Sequence, residues 1–214
     1  MSLQLSEFSR QIGAARVAVN AADTLVTQAA AVLDLFESHD GELADGFSIQ
    51  AGWAPLMLVE RGEGRFDVAA PDFATKTPEH VGWVTDLTLA LWVLNGQVTL
   101  ARELPEAAAR PIHFADTVLC SRAIEGAERL VMSRTSRRDA ADDSGWFIDV
   151  FPQPEQQRDA ADFVRWPAYQ TLTINKHIAR ALALPEGYGA IVSETRIDAI
   201  IELAGNTVAV RGPL

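Results

Sequence analysis

Cysteine is almost absent from this sequence of 214 residues. The single one, Cys120, excludes a framework of disulfides within the chain. No apolar run approaches the roughly 18 residues of a membrane-spanning helix, and the opening MSLQLSEFSR lacks the basic-then-apolar layout of a signal peptide. We therefore expect a cytoplasmic protein that does not enter a membrane.

Basic residues are also scarce, with 18 against 29 acidic residues and a formal net charge of −11. Only two of the basic residues are lysines, and residues 1–105 hold 14 acids and 6 bases. Nucleic-acid binding depends on cations placed against phosphates, so this class of partner is disfavoured. An acidic surface keeps a protein in solution and can also speed association with a basic partner.

The composition is otherwise that of a globular protein with a core, at 48% hydrophobic and 22% charged residues. At about 150 residues per domain, the length fits one large or two small domains. An alanine-rich stretch bracketed by prolines, residues 104–111, is typical of a linker. We predict two domains, residues 1–104 and 112–214.

Apolar side chains in residues 3–38 are spaced alternately three and four apart, which predicts one stripe on a helix. They are Leu5, Phe8, Ile12, Ala15, Val19, Ala22, Val26, Ala29, Leu33 and Phe36. An unbroken helix would be roughly 50 Å long. Either the chain turns near residues 20–23, where capping residues cluster, or a straight helix pairs with a second copy. Because four positions of the stripe are alanine, it would form a weak interface with a second copy, which favours the turn.

The period changes to two between residues 46 and 73, which predicts antiparallel strands with a hairpin loop at residues 62–64 and a stop at Pro71. Residues 85–102 fit two structures. Asn95-Gly96 between apolar runs indicates a hairpin, whereas Leu87, Leu91, Leu94 and Val98 recur at helical spacing after a possible cap at Thr85. We favour the helix.

Short strands are predicted in the second domain at residues 117–121, 129–133, 146–150, 188–193 and 197–203, with a polar turn at 139–144. One helix is predicted at 174–184, capped by Thr173 and stopped by Pro185. This order predicts the α+β class: a helical N-terminal segment followed by antiparallel sheet, then a second sheet with one main helix.

Signatures of catalysis and of metal or cofactor binding are missing. The four histidines lie far apart, and no HExxH, P-loop, GxGxxG or GxSxG pattern occurs. Cys120 stands in an apolar run, where cysteine commonly packs as a small hydrophobe. Asp139, Asp142 and Asp143 lack the downstream glutamate of a calcium loop. We therefore assign no catalytic residue, metal or cofactor.

A resemblance to a known family begins near Val118 and runs through Glu125-Gly126 and Arg134 to Asp143-Ser144-Gly145-Trp146 and Pro185-Glu186-Gly187-Tyr188-Gly189. On these residues, positions 116–203 resemble the immunity protein 33 domain family, first catalogued as domain of unknown function 2185. The resemblance implies a protein that binds and neutralises a bacterial toxin by occlusion. Many such toxins are cationic nucleases, to which an acidic partner would be drawn.

Two surfaces are candidates for the protein partner. One is the turn with Asp139, Asp142, Asp143, Ser144 and Trp146, and the other is the acidic first half around Glu60, Glu63 and Asp67. Two other functions stay open. The chain could be an enzyme or small-ligand protein with an unmarked pocket holding Cys120 or His177, or a structural protein that forms homodimers through its N-terminal stripe; the sequence leaves monomer and homodimer open.

Overall fold

The computed structural model describes residues 4–74, 81–104, 112–136 and 142–214. The chain divides into two compact units, Met1–Asn95 and Gly96–Leu214. The predicted linker lies, apart from Leu104, outside the described residues. Among the helices of the described part, none is long and apolar enough to cross a membrane.

The first unit is a mixed sheet, and side chains from two helices contribute to its core. The strands are β1 (Leu5–Ile12), β2 (Ala15–Ala22), β3 (Ser48–Ala51), β4 (Ala54–Gly62), β5 (Arg65–Pro71) and β6 (Trp83–Val84); the helices are α1 (Val26–Glu37) and α2 (Thr88–Glu103), which begins in this unit. The strand order is β1-β2-β5-β4-β3, with β6 beside β5. β2 and β5 pair in parallel, and the other neighbours are antiparallel.

The prediction of a helix from residue 3 is wrong for residues 5–22, which form the β1–β2 hairpin. Gly13, at φ +57°, supplies the left-handed conformation of the tight turn. Leu5 and Phe8 shared the predicted stripe, but in β1 they face opposite sides of the sheet: Leu5 is 54% exposed, and Phe8 packs on the core. The straight-helix alternative is therefore wrong, whereas α1 confirms the last third of the stripe.

The core of this unit lies between α1 and one face of the sheet. Val32, Leu33 and Phe36 of α1 are buried in a cluster with Val17 of β2 and Val68 of β5. Burial of each such side chain stabilises the fold by roughly 1.5–3 kcal/mol. The hydrophobic effect thus fixes which face of each strand turns inward.

Several predictions for the first half are confirmed. β4 and β5 form the expected hairpin around residues 62–64, and β5 ends at Pro71. Residues 88–103 are helical, so the hairpin alternative at Asn95-Gly96 is wrong. The helix begins later than Thr85, at Thr88, whose amide donates to the Asp86 carboxylate at 2.9 Å.

The second unit is a seven-stranded sheet. The strands are β7 (Thr117–Ser121), β8 (Arg129–Arg134), β9 (Asp143–Val150), β10 (Phe163–Pro167), β11 (Tyr188–Ser193), β12 (Ile197–Glu202) and β13 (Thr207–Arg211), and the helix is α3 (Lys176–Ala181). The order is β10-β7-β9-β8-β11-β12-β13, and only β7 and β9 pair in parallel. The α+β class is confirmed.

Two local predictions for this unit need correction. Asp143 and Ser144 begin strand β9 and are buried, so the predicted polar turn is wrong for these two residues. The helix α3 is shorter than predicted and is capped by Asn175 rather than Thr173: the Asn175 side chain accepts a bond from the His177 amide at 2.8 Å.

Candidate functional site

The Asp143–Trp146 stretch is a buried junction. The Ser144 hydroxyl donates to the Thr117 carbonyl oxygen at 2.6 Å, which ties β9 to β7. The Trp146 indole donates to the Leu182 carbonyl oxygen at 3.2 Å, which ties β9 to the end of α3. Asp143 accepts the Gly145 amide at 2.8 Å. All three polar side chains therefore satisfy donors or acceptors inside the unit.

Arg134 joins this junction to the second stretch of the resemblance. Its guanidinium is fully buried, donates to the Leu184 carbonyl oxygen at 2.6 Å and lies 5.9 Å from the centre of the Trp146 ring. Its backbone oxygen accepts the Gly187 amide at 2.9 Å. Gly187 has φ +85°, a conformation that glycine adopts without strain. Among the residues that carry the resemblance, Arg134, Asp143–Trp146 and Gly187 thus form one structural framework.

This framework bears on the first predicted partner surface. Ser144 and Trp146 are at most 2% exposed, and Asp143 is also buried, so a partner does not reach them in this structure. Asp142 is exposed, and Asp139 lies outside the described residues. Among the described residues of the predicted turn surface, Asp142 is therefore the one that a partner can reach.

The second predicted surface divides in two. Glu60 and Glu63 are exposed, Glu63 at the tip of the β4–β5 turn. Asp67 instead pairs with Arg61 at 2.9 Å. It lines a small cleft of about 220 Å³ together with Arg16, Arg65 and Glu7, and arginines outnumber carboxylates in this lining. The acidic patch therefore consists of Glu60 and Glu63 without Asp67.

Cys120 and His177, the residues of the enzyme alternative, are both buried. Burial raises the pKa of the Cys120 thiol to about 12, so at neutral pH it stays protonated and unreactive. Burial also lowers the pKa of His177 to about 4, with the charges of Arg180 and Lys176 adding to the effect. Arg180 Nη1 lies 3.2 Å from His177 Nδ1. A buried, protonated thiol and a buried imidazole of such low basicity do not form a nucleophile with its general base.

Asp149 and Arg158 form an ion pair that the sequence did not indicate. Asp149, in the apolar run of β9, is fully buried, and Arg158 comes from the loop that follows. Burial alone would raise the pKa of Asp149, but the bonds from Arg158 and from the Val150 amide outweigh it and hold this pKa below its ordinary value. The pair anchors the loop to the strand.

The comparisons with known proteins complete the picture of this unit. Within the described residues, no group of three or more histidine, cysteine, aspartate or glutamate side chains is placed to hold a metal ion. Residues 97–202 match the model of a family described as the Imm33-like domain, which confirms the resemblance seen in the sequence. No curated protein and no solved structure matched the chain.

Proposed function

We propose that this protein is an immunity protein that neutralises a bacterial toxin by stoichiometric occlusion, because residues 97–202 match the model of the Imm33-like domain. The family match is the observation that carries the proposal. In this function the protein covers the toxin's working surface and transforms no substrate, so its stable framework is a scaffold for a binding surface.

The charge of the chain supports a basic toxin as the partner. A net charge of −11 attracts a cationic protein over roughly a Debye length, about 8 Å at physiological ionic strength. Such attraction raises the rate at which the two proteins meet. The exposed carboxylates of Glu60, Glu63 and Asp142 are the contacts that we propose from the two predicted surfaces.

The buried state of Cys120 and His177 supports a binding role over the enzyme alternative. A thiol with a pKa of about 12 does not ionise at neutral pH. An occluding protein needs no such group, because its effect depends on surface complementarity. The proposal accordingly assigns no catalytic residue.

Co-expression with a toxin gives the direct test. The candidate is the effector encoded beside the gene of this chain, expressed from an inducible promoter with and without the full chain. We expect growth to be rescued, and we expect calorimetry of the purified proteins to give one bound molecule per toxin.

The dose dependence distinguishes occlusion from catalysis. Toxin activity should fall in proportion to added protein and reach its minimum at an equimolar ratio. Full inactivation by a small fraction of an equivalent would show that the chain acts as an enzyme on the toxin. Undiminished toxin activity with an excess of folded chain would overturn the proposal.

A further inference from the structure

A groove of about 550 Å³ lies at one end of the first sheet. Its walls are the β1–β2 turn, the β4–β5 turn at Gly64, and the segment that follows α1. We call it the turn groove and define it by Ile12, Ala15, Leu43, Phe66, Glu37 and Glu42. All of these residues belong to the first unit.

The floor of the turn groove is apolar. Phe66 and Ala15 are buried members of the core cluster, and Ile12 and Leu43 pack against that cluster while keeping part of their surface open. A ligand in the groove therefore meets hydrocarbon at the floor.

The rim of the turn groove is acidic. Glu37 and Glu42 are exposed and line it together with His39, and no lysine or arginine is among its described lining residues. Glu37 also binds Arg10, which shares its guanidinium with Asp34, both at 2.5 Å.

We propose that the turn groove receives one arginine or lysine side chain of a basic protein partner. The aliphatic stem would pack on Ile12 and Phe66, and the charged head would meet the carboxylates of Glu37 and Glu42. This inference rests on the proposed function, because it assigns the surface through which a basic toxin is held.

Other occupants fit the groove less well. A purely apolar side chain would remove the Glu42 carboxylate from water without adding a charged partner, which costs free energy. An anionic group would be repelled by the same carboxylates. A basic side chain places its hydrocarbon stem on the apolar floor and its charge near the carboxylates of the rim. Arginine is among the residues that contribute most to binding at protein interfaces.

A peptide test needs no toxin. The probe is acetyl-Gly-Arg-Gly-amide, added at millimolar concentration to the ¹⁵N-labelled full chain, with acetyl-Gly-Gln-Gly-amide as the neutral control. We expect saturable shifts of the amide signals of Gly13, Glu42 and Gly64 with the arginine peptide. The affinity should fall about fivefold in the double variant Glu37→Gln/Glu42→Gln, as for two exposed ion pairs.

The matched control is Glu128→Gln/Glu194→Gln, which removes the same charge at exposed positions of the second unit and should leave the affinity unchanged. Equal shifts with the glutamine peptide, no saturation, or full affinity in the groove variant would each overturn the proposal. A toxin that is not neutralised would overturn the proposed function alone. If the toxin is neutralised with unchanged affinity by the groove variant, the function stands and the groove assignment fails.

Discussion

The guanidinium of Arg158 binds both carboxylate oxygens of Asp149: Nη1 donates to Oδ1 at 2.7 Å, and Nη2 donates to Oδ2 at 2.5 Å. The Val150 amide donates to Oδ1 at 2.9 Å, and the Gln153 side chain to Oδ2 at 3.2 Å. Four donors thus satisfy a carboxylate in the interior, which offsets the cost of its burial. The first prediction follows from this geometry.

Arg158→Gln should destabilise the protein by about 3 kcal/mol. The substitution leaves a buried carboxylate without its charged partner, a change that typically costs about 3–5 kcal/mol. We expect a loss at the lower end of this range because the Arg158 side chain is 21% exposed, so the pair is partly in contact with water. Urea unfolding at neutral pH measures the effect. Arg211→Gln, at an exposed position of β13, is the control and should change the stability by no more than about 0.5 kcal/mol.

The pH dependence gives a second prediction for the same pair. Burial by itself would raise the pKa of Asp149. The hydrogen bonds from Arg158 and from the Val150 amide lower this pKa by more, so it lies below its ordinary value. A carboxylate with a lowered pKa contributes stability that is full above its unfolded pKa, about 3.9, and is lost as the pH falls through the lower, folded pKa. We therefore expect the free energy of unfolding to fall more steeply below about pH 4 in wild type than in Asp149→Asn. Parallel curves would show that Asp149 is not the titrating group.

How far the sequence predicted the fold depended on whether the decisive contacts were local. Strands β7 and β11 have the predicted bounds, because short apolar runs between turn residues leave few alternatives. The β1–β2 hairpin was missed because a spacing of three and four residues also arises when the two faces of a strand are counted together. Only pairing across the sheet decides between these structures, and the register of Phe8 opposite Val19 cannot be read from spacing.

The same reason explains the outcome at Asp143–Trp146. Polar residues beside a glycine predicted a solvated turn, yet Ser144 and Trp146 find their acceptors at Thr117 and Leu182, 27 and 36 residues away. No local pattern contains those partners. The resemblance included these residues, and the structure shows that Ser144 ties β9 to β7 and that Trp146 ties β9 to the end of α3.

Gly189→Ala should be strongly destabilising. A Cβ atom at this position of β11 would lie 2.3 Å from the Met132 carbonyl oxygen on β8. Because that atom is backbone, the two strands must separate, and we expect a loss of about 3 kcal/mol, at the upper end of the cost of overpacking. Circular dichroism during urea unfolding measures the loss.

Gly205→Ala provides the control for this variant. Its nearest contact would be the Thr207 side chain at 3.4 Å, an ordinary van der Waals distance. The change in stability should stay within about 1 kcal/mol. If the two alanine variants were equally stable, the close approach of β8 and β11 at Gly189 would be disproved.

Cys120 should be inert in the folded protein. Its side chain is fully buried and its pKa is about 12, so the thiolate that attacks thiol reagents is nearly absent at neutral pH. We expect no colour with Ellman's reagent in native buffer and one equivalent of thiol after unfolding in guanidinium chloride. A fast reaction of the native protein would instead restore Cys120 as a candidate nucleophile.

If the partner is the basic toxin that we propose, the association rate with it should depend strongly on salt. If the negative charge steers the encounter, the rate constant should fall by about tenfold between about 0.01 M and 0.15 M salt, while the dissociation rate changes little. Glu60→Gln/Glu63→Gln should lower the rate about two- to fivefold at low salt if the acidic patch of the first unit faces the toxin. If the surface around Asp142 faces the toxin instead, Asp142→Asn should lower the association rate by a similar factor. Stopped-flow measurement of the two variants therefore decides between the two surfaces. A rate constant that does not respond to salt would exclude charge as the cause of fast association, because attraction between exposed charges is always screened.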